Sequence, residues 1–155
     1  MSDLRGAIKQ LKPFNSVHQE AFLNVARTYT VLGDGLDRVL GPKGLSMTQY
    51  NILRMLRGAG REGLCRNEIG RRLITRMPDV TRLLDRMERA GLVSRVRSTE
   101  DRRLVNTILT AQGRQIVDKL DREVAQEHRR TLGHMTNAQL STLVELLGLV
   151  REGAE

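Results

Sequence analysis

The chain has 155 residues, of which 39% are apolar and 28% are charged, and these values predict one domain with a modest core. No apolar run approaches the ~20 residues of a membrane-spanning helix and the N-terminus lacks a secretory signal, so we expect a cytoplasmic protein. The formal net charge of +8 favours a polyanionic partner, although charge alone does not distinguish nucleic acid from an acidic membrane.

A long amphipathic helix is predicted over residues 16–40, where apolar side chains recur at spacings of three and four. Ser16 followed by Gln19 is typical of the capping box that starts such a helix. Gly33 and Gly35 each weaken a helix by about 1 kcal/mol relative to Ala, and they therefore favour a kink near its end.

Two shorter helical segments are predicted next. Ser46 and Gln49 form a second capping box, and the helix that they start ends at Gly58 and Gly60. Residues 66–73 then form a two-turn amphipathic segment, which is too short to be stable alone.

A further helix is predicted over residues 78–90. Thr75 is its predicted cap, Pro78 is tolerated in its first turn, and the acid Asp79 suits a helix N-terminus. Gly91 ends it. Two short helices with one apolar face each, joined by a short turn, form the helix-turn-helix pattern.

The apolar period then changes from 3.6 to 2. This change predicts a β-hairpin with strands over residues 93–97 and 104–109 and a polar tip at residues 98–102. Thr110 caps a further predicted helix, and Thr136 starts the capping box of a last one.

These elements predict a mainly α chain with a small β-hairpin, an α+β unit that spans residues 1–155. A helix-turn-helix and hairpin core occupies residues 46–110, and dimerisation helices flank it over residues 16–40 and 111–151. Their apolar faces need covering, either by a second copy of the chain or by folding back on their own core. We favour the homodimer, because a fold-back would leave a large apolar patch exposed.

Positive charge is concentrated in the helix-turn-helix and hairpin. Residues 66–103 contain eleven arginines, six acids and no lysine. Arginine is suited to bidentate contacts with phosphates and guanine edges, so we predict that the second helix lies in the major groove of DNA. Its predicted exposed contacts are Arg76, Thr81, Arg82 and Arg86. The alternative is a solvated face in which Arg82, Arg86 and Arg89 pair with Asp79, Asp85 and Glu88 at helical spacing.

Five segments together carry a family resemblance. They are Leu45–Leu53, Pro78–Glu88, Gly91–Val93, Asp101–Arg103 and Leu109–Gly113. This pattern resembles the winged helix-turn-helix core of the MarR family of transcriptional regulators, and the resemblance extends over most of the chain. The Asp-x-Arg triplet together with the preceding helix is its most specific part.

The resemblance implies a homodimer whose terminal helices interlock and whose two winged helices bind a pseudo-palindromic operator, usually repressing transcription. It implies a recognition helix over residues 78–90. On that helix, Thr81 and Arg82 correspond to base or phosphate contacts and Arg86 to a phosphate contact.

The hairpin corresponds to the wing of this family. Arg103 matches the arginine that enters the minor groove, Asp101 matches the acid that orients it, and Arg102 is an additional contact. A narrow A·T-rich minor groove concentrates negative potential, which attracts an inserted guanidinium.

The resemblance also implies a small aromatic or phenolic effector, held in a cleft between the dimer helices and the winged helix. The candidate lining residues are His18, Tyr29, Tyr50 and Met55. Tyr29 and Tyr50 lie on apolar stripes, so the alternative is that both belong to the core.

Other chemistries have weaker signals. Cys65 is the single cysteine and excludes an internal disulfide, but it precedes a helix N-terminus, which leaves redox sensing as an alternative to an inert side chain. His18, His128 and His134 share no i,i+4 spacing, so we expect no metal and no cofactor.

The remaining question is the class of protein. No Gly-rich phosphate loop occurs and no histidine lies near Cys65 in the sequence, so we expect no enzyme. We expect double-stranded DNA and a second copy of the chain as partners, and no membrane. The alternative is an architectural or RNA-binding protein that uses the same charge without reading bases.

Overall fold

The computed structural model describes residues 4–75, 77–97 and 103–153, and it confirms a mainly helical chain with a small antiparallel sheet. A short helix at the start and a short strand are added to the predicted elements. The helices are α1 (Leu4–Ala7), α2 (Val17–Leu40), α3 (Met47–Ala59), α4 (Arg66–Arg72), α5 (Val80–Arg89), α6 (Ala111–Leu132) and α7 (Asn137–Glu152), with a 3-10 turn at Gly41–Lys43, and the strands are β1 (Leu64–Cys65), β2 (Val93–Arg97) and β3 (Val105–Leu109).

Helix α2 begins as predicted, with Ser16 as its N-cap. The Ser16 hydroxyl accepts a hydrogen bond from the Gln19 N–H at 3.2 Å. In a complete capping box, the Gln19 side chain would accept from the Ser16 N–H. Here it accepts instead from the Asn15 N–H, at 2.7 Å. Helix α2 continues through Gly33 and Gly35 to Leu40, so the two glycines do not end it.

The buried Gly35 has a packing role where α2 crosses α6. A Cβ at this position would lie 2.3 Å from Glu127 Oε1, so glycine leaves room for that carboxylate. Glu127 is only 8% exposed and accepts two hydrogen bonds from Arg130, at 2.6 and 2.7 Å, while Arg38 Nη2 lies 3.6 Å away. Because a buried carboxylate is tolerated when it is paired, this cluster fixes how α2 packs on α6.

We expect the Glu127 cluster to make stability depend on pH in acid. Hydrogen bonds from Arg130 are the main reason why the pKa of Glu127 falls from its ordinary 4.5 to about 2. Since the folded pKa is the lower one, the stabilisation is complete above pH ~4.5 and is lost as the pH falls through about 2. Urea titrations at about pH 5 and pH 3 should show a larger loss for the wild type than for Glu127→Gln. Equal losses in the two proteins would contradict this assignment.

The other predicted caps are largely confirmed. Complete capping boxes start α3 and α7. They are formed by Ser46 with Gln49 and by Thr136 with Gln139. Thr110 accepts from the Gly113 N–H at the start of α6. One detail of α3 differs, because the residue at position 58 is still helical and Gly60 is the C-cap.

Helix α5 begins later than predicted. Its N-cap is Asp79, whose Oδ1 accepts from the Arg82 backbone N–H at 2.9 Å. Thr75 is therefore not the cap, and Pro78 lies outside the helix. The physical reason is that a short acidic side chain directly before the first turn satisfies one of the open N–H groups there.

The hairpin is confirmed and belongs to a three-stranded antiparallel sheet with the order β1-β3-β2. The first residue predicted for its second strand lies outside β3, which begins at Val105. Strand β1 was missed, because two residues are too few to show alternation. Leu64 pairs with Thr107 and Cys65 with Asn106, so the sheet holds the start of α4 against the wing.

The core is centred on α3. Ile52, Leu53 and Leu56 have no exposed surface, and they belong to one cluster with Ile69 of α4 and Met87 of α5. Burying an aliphatic side chain of this size stabilises a fold by roughly 1.5–3 kcal/mol. The cluster therefore fixes α4 and α5 relative to each other.

The apolar faces of the terminal helices are exposed in the single chain. Phe22 and Tyr29 of α2 are 73% and 54% exposed, and Val144 and Leu149 of α7 are 67% and 63% exposed. Helix α7 has no buried residue. These faces therefore do not fold back over the core of their own chain.

Candidate nucleic-acid interface

Helices α4 and α5 form the predicted helix-turn-helix. Leu83, Leu84 and Met87 bury one face of α5, and they leave Thr81 and Arg82 exposed on the other face together with Arg86. The apolar spacing of the sequence dictates this separation, because residues three and four apart share a helix face. The predicted DNA contacts Thr81, Arg82 and Arg86 therefore all face solvent.

The Arg82 side chain forms an ion pair with Asp79 and is still largely exposed to solvent. Its Nε lies 3.0 Å from Asp79 Oδ2, while the other oxygen of this carboxylate caps the helix. The Arg82 side chain is nevertheless 86% exposed. An exposed ion pair of this kind contributes at most about 1 kcal/mol, so it does not prevent the guanidinium from contacting a phosphate or a base.

The two acids within α5, Asp85 and Glu88, form ion pairs with an arginine of the wing. Arg95 of β2 pairs with Asp85, and its Nη1 lies 3.1 Å from Glu88 Oε2. The Arg95 backbone N–H also donates to Glu88, at 3.1 Å. The alternative, in which Asp85 and Glu88 pair with Arg86 and Arg89, is thus not observed, and within residues 4–75, 77–97 and 103–153 no acid pairs with Arg86. The wing neutralises the acids and leaves the surface of α5 cationic.

The wing strands position two further arginines. Arg97 is exposed at the end of β2, and Arg103 is exposed just before β3 begins. Arg76, Asp101 and Arg102 lie outside the described residues, so their predicted roles stay predictions.

A groove of about 1130 Å³ separates α4 from α5. Arg66, Asn67, Arg71 and Thr81 contribute polar side chains to its lining. Arg66 Nη1 donates to Thr81 Oγ1 at 3.4 Å and so joins the two helices. The contact between Arg66 and Thr81 could not be predicted from the sequence, because no periodicity relates residues fifteen positions apart.

The four predicted effector-pocket residues lie in different surroundings. Met55 lines two adjoining cavities of about 590 and 670 Å³. Tyr50 is buried, while the Tyr29 hydroxyl lies on α2 at 3.4 Å from Thr75 Oγ1, and His18 is exposed at the start of α2. The core alternative therefore holds for Tyr50 and not for Tyr29.

Tyr50 belongs to a polar cluster between α3 and α6. Arg57 Nη1 lies 2.7 Å from both Asp118 Oδ1 and Asp121 Oδ2, and the Tyr50 hydroxyl donates to Asp121 at 3.2 Å. The hydrogen bond from Arg57 is the main cause that lowers the pKa of Asp121. Burial, followed by the charge of Asp121, raises the pKa of Tyr50. These residues fasten the winged helix to the long helix α6.

The redox and metal alternatives concern Cys65 and the clusters of metal-binding side chains. Cys65 is half-buried, lies in β1 and precedes α4 without a side-chain capping bond. In the part of the chain that the structure describes, no group of three or more His, Cys, Asp or Glu side chains could hold a metal ion. None of the described helices is long and apolar enough to cross a membrane.

Comparison with known proteins gives the family. The family model described as MarR family matches residues 45–105. A crystal structure of a MarR transcription factor from Planctomyces limnophilus is 39% identical, with a TM-score of 0.67, and the match covers 88% of this chain and 99% of that chain. The chain belongs to the MarR family. This result confirms the family resemblance predicted from the five short segments of the sequence.

Two further MarR-type proteins are similar over most of their length. The HTH-type transcriptional regulator PecS from Dickeya dadantii is 29% identical over 129 residues, which is 83% of this chain and 78% of PecS. The structure of the transcriptional repressor CouR bound to a 23-mer DNA duplex is 25% identical with a TM-score of 0.72, and the match covers 83% of this chain and 89% of CouR. This MarR-family chain is accordingly a DNA-binding transcriptional regulator and not an enzyme.

Proposed function

We propose that this MarR-family regulator is a homodimer that represses transcription by binding a pseudo-palindromic operator. The observation that carries the proposal is the charge arrangement of α5. Its acids Asp85 and Glu88 pair with Arg95 of the wing, while the side chains of Arg82 and Arg86 stay exposed to solvent. A cationic helix beside a cationic hairpin has the complementarity that a groove lined by phosphates requires.

The proposed docking places α5 in the major groove. Thr81 and Arg82 lie near the N-terminus of α5, the part of a recognition helix that reaches base edges, and Arg86 lies one turn later for a phosphate contact. We propose Arg76, which precedes the helix, as a further phosphate contact.

The proposed role of the wing is to follow the adjacent minor groove. Arg103 would enter this groove, Asp101 would orient its guanidinium, and Arg102 would add a phosphate contact. Since Arg95 ties β2 to α5 through two acids, the wing and the recognition helix would dock as one rigid unit.

We propose that a second copy of the chain buries the apolar faces of the terminal helices. The exposed side chains of α2 and α7 include Phe22, Tyr29, Val144 and Leu149. Burying such faces against their symmetry mates yields a homodimer with two recognition helices. Those helices would then contact half-sites about one helical turn apart.

The proposed effector is a small aromatic or phenolic anion. Met55 and Ile74 give the smaller cavity an apolar wall, and Arg54 adds a guanidinium. Tyr29 of α2 contacts Thr75, the neighbour of Ile74, so a ligand there would act between a dimerisation helix and the segment that precedes α5. Repression would be relieved if the ligand preferred a dimer state whose recognition helices no longer match the operator.

Selection of the purified protein against random duplex DNA at physiological salt tests this function. We expect enrichment of an inverted repeat with half-sites about one helical turn apart. Binding that only weakens as salt rises, with no sequence enriched, would favour the architectural alternative instead.

Two arginine variants test the docking. Arg82→Ala and Arg103→Ala should each reduce affinity for the selected operator by roughly 5- to 150-fold, which corresponds to about 1–3 kcal/mol. Arg122→Ala is the matched control, because it removes the same charge from an exposed position on α6, outside the helix-turn-helix and the wing. If the affinity and its salt dependence were the same in all three variants, the proposed docking would be wrong.

A further inference from the structure

Three contacts of Arg95 fasten strand β2 to helix α5. The guanidinium pairs with Asp85, and its Nη1 lies 3.1 Å from Glu88 Oε2. The Arg95 backbone N–H donates to Glu88 Oε1, also at 3.1 Å. Strand β2 lies at the edge of the sheet, and an edge strand presents N–H groups that no neighbouring strand accepts. Glu88 therefore binds both the backbone and the side chain of Arg95, and the three residues together form a clasp.

The clasp lies between the buried start of β2 and its cationic end. Val93, Arg95 and Arg97 share one face of the strand, because side chains alternate along it. Val93 is buried in the core, whereas Arg97 is exposed. Arg95 contacts residues of α5 that precede it by seven and ten positions, so β2 runs back along the helix. Arg97 then lies about 7 Å further along, since a strand rises about 3.3 Å per residue.

The chemistry of the clasp restricts the tilt of the wing. A planar guanidinium presents its donors in a rigid fork, so pairing with two carboxylates fixes a direction as well as a distance. The three side chains are only 35–39% exposed, and such partly buried pairs are screened less by salt than fully exposed ones. Without the clasp, the hairpin could pivot about its buried end at Val93.

We propose that Arg95 is a positioning residue that sets the angle between the wing and the recognition helix. This angle fixes which base pairs the wing faces when α5 occupies the major groove. The regulator should therefore prefer A·T pairs in a flank at one set distance from the base pairs that α5 reads. This flank preference should depend on the geometry of the clasp and not on its charge. The inference rests on the proposed function, because it requires the wing to lie in the minor groove.

The test compares the base profiles that the wild type, Arg95→Met and Arg95→Lys select from random duplex DNA. In the wild type, A·T pairs in the flank should be favoured over G·C pairs by roughly fivefold or more, the lower end of the effect of one mismatched base pair. Both variants should reduce this factor to below about twofold and keep the base preferences of the positions that α5 reads. Arg95→Lys fails although it keeps the charge, because an ammonium is a point charge without the fork geometry.

A triple variant separates geometry from charge. Arg95, Asp85 and Glu88 sum to a charge of −1, whereas Arg95→Met with Asp85→Ala and Glu88→Ala sums to zero. Charge alone therefore predicts that the triple variant binds every duplex more tightly than the wild type does. Its flank preference should nevertheless be lost. The control is Arg71→Ala on the exposed surface of α4, which should weaken binding to every duplex by a similar factor and keep the flank preference.

Hydrogen exchange distinguishes a tilted wing from an unfolded one. The amides that join β2 to β3, from the Val93–Leu109 pair to the Arg97–Val105 pair, should stay as protected in Arg95→Met as in the wild type. If their protection is lost together with the flank preference, Arg95 only holds the hairpin folded and the inference is wrong.

The remaining outcomes identify which idea fails. If Arg95→Met and the triple variant keep the flank preference, the clasp acts through charge, and the inference is wrong while the proposed function stands. If the wild type selects an inverted repeat without any flank preference, the inference and the proposed role of the wing are both wrong. If the wild type selects no sequence at all, the whole proposed function is overturned together with the inference.

Discussion

Leu149→Glu should convert the regulator into a monomer and reduce its affinity for the operator on the order of 100-fold or more. Leu149 is 63% exposed on α7 in the single chain, on a helix with no buried residue. In the proposed dimer it is covered by a second copy, and a carboxylate there would be desolvated without a partner. The affinity falls steeply because a monomer loses the effective concentration that links two half-sites. Sedimentation equilibrium and fluorescence anisotropy with labelled operator measure the two effects.

A matched substitution separates dimer loss from surface charge. Val105 is 50% exposed on β3, a strand of the wing, so Val105→Glu introduces the same charge on an element that is not part of the proposed dimer face. Its sedimentation should match that of the wild type. A Leu149→Glu protein that remains dimeric at micromolar concentration would show that this face of α7 is not the interface.

Gly113→Val should destabilise the fold by about 3 kcal/mol or prevent folding. Gly113 is buried in the first turn of α6, where an added Cβ would lie 2.1 Å from the Leu92 carbonyl oxygen and 2.9 Å from Leu109 Cδ1. The carbonyl cannot move easily, since it accepts two hydrogen bonds from Thr110, from N at 3.2 Å and from Oγ1 at 3.0 Å. For a chain of this length, the loss corresponds to a melting temperature lower by roughly 6–12 °C.

Gly58 supplies the control for this prediction. It is exposed within α3, and a Cβ there would meet nothing within 4 Å. Gly58→Ala should therefore leave the fold intact and stabilise it by up to about 1 kcal/mol, because alanine has the higher helix propensity. Thermal unfolding followed by circular dichroism compares the two variants. A melting temperature of Gly113→Val within a degree or two of the wild type would refute the packing argument.

The sequence by itself determined the elements whose signals are local. The caps at Ser46, Thr110 and Thr136 were predictable because a side chain satisfies backbone groups three residues away. The separation of Leu83 and Leu84 from Thr81 and Arg82 followed from helical periodicity. The family was predictable from five short segments taken together, which are residues 45–53, 78–88, 91–93, 101–103 and 109–113.

The tertiary structure decided which distant residues meet. Arg95 forms ion pairs with Asp85 and Glu88 of α5. Arg66 donates a hydrogen bond to Thr81. Neither contact follows from helical spacing. Tyr50 and Tyr29 lie on similar apolar stripes, yet only Tyr50 is buried, because α6 packs against α3 and no element of the described chain covers that part of α2. The physical reason is that caps and periodicity arise from neighbouring backbone, whereas burial and charge pairing depend on which surfaces pack together.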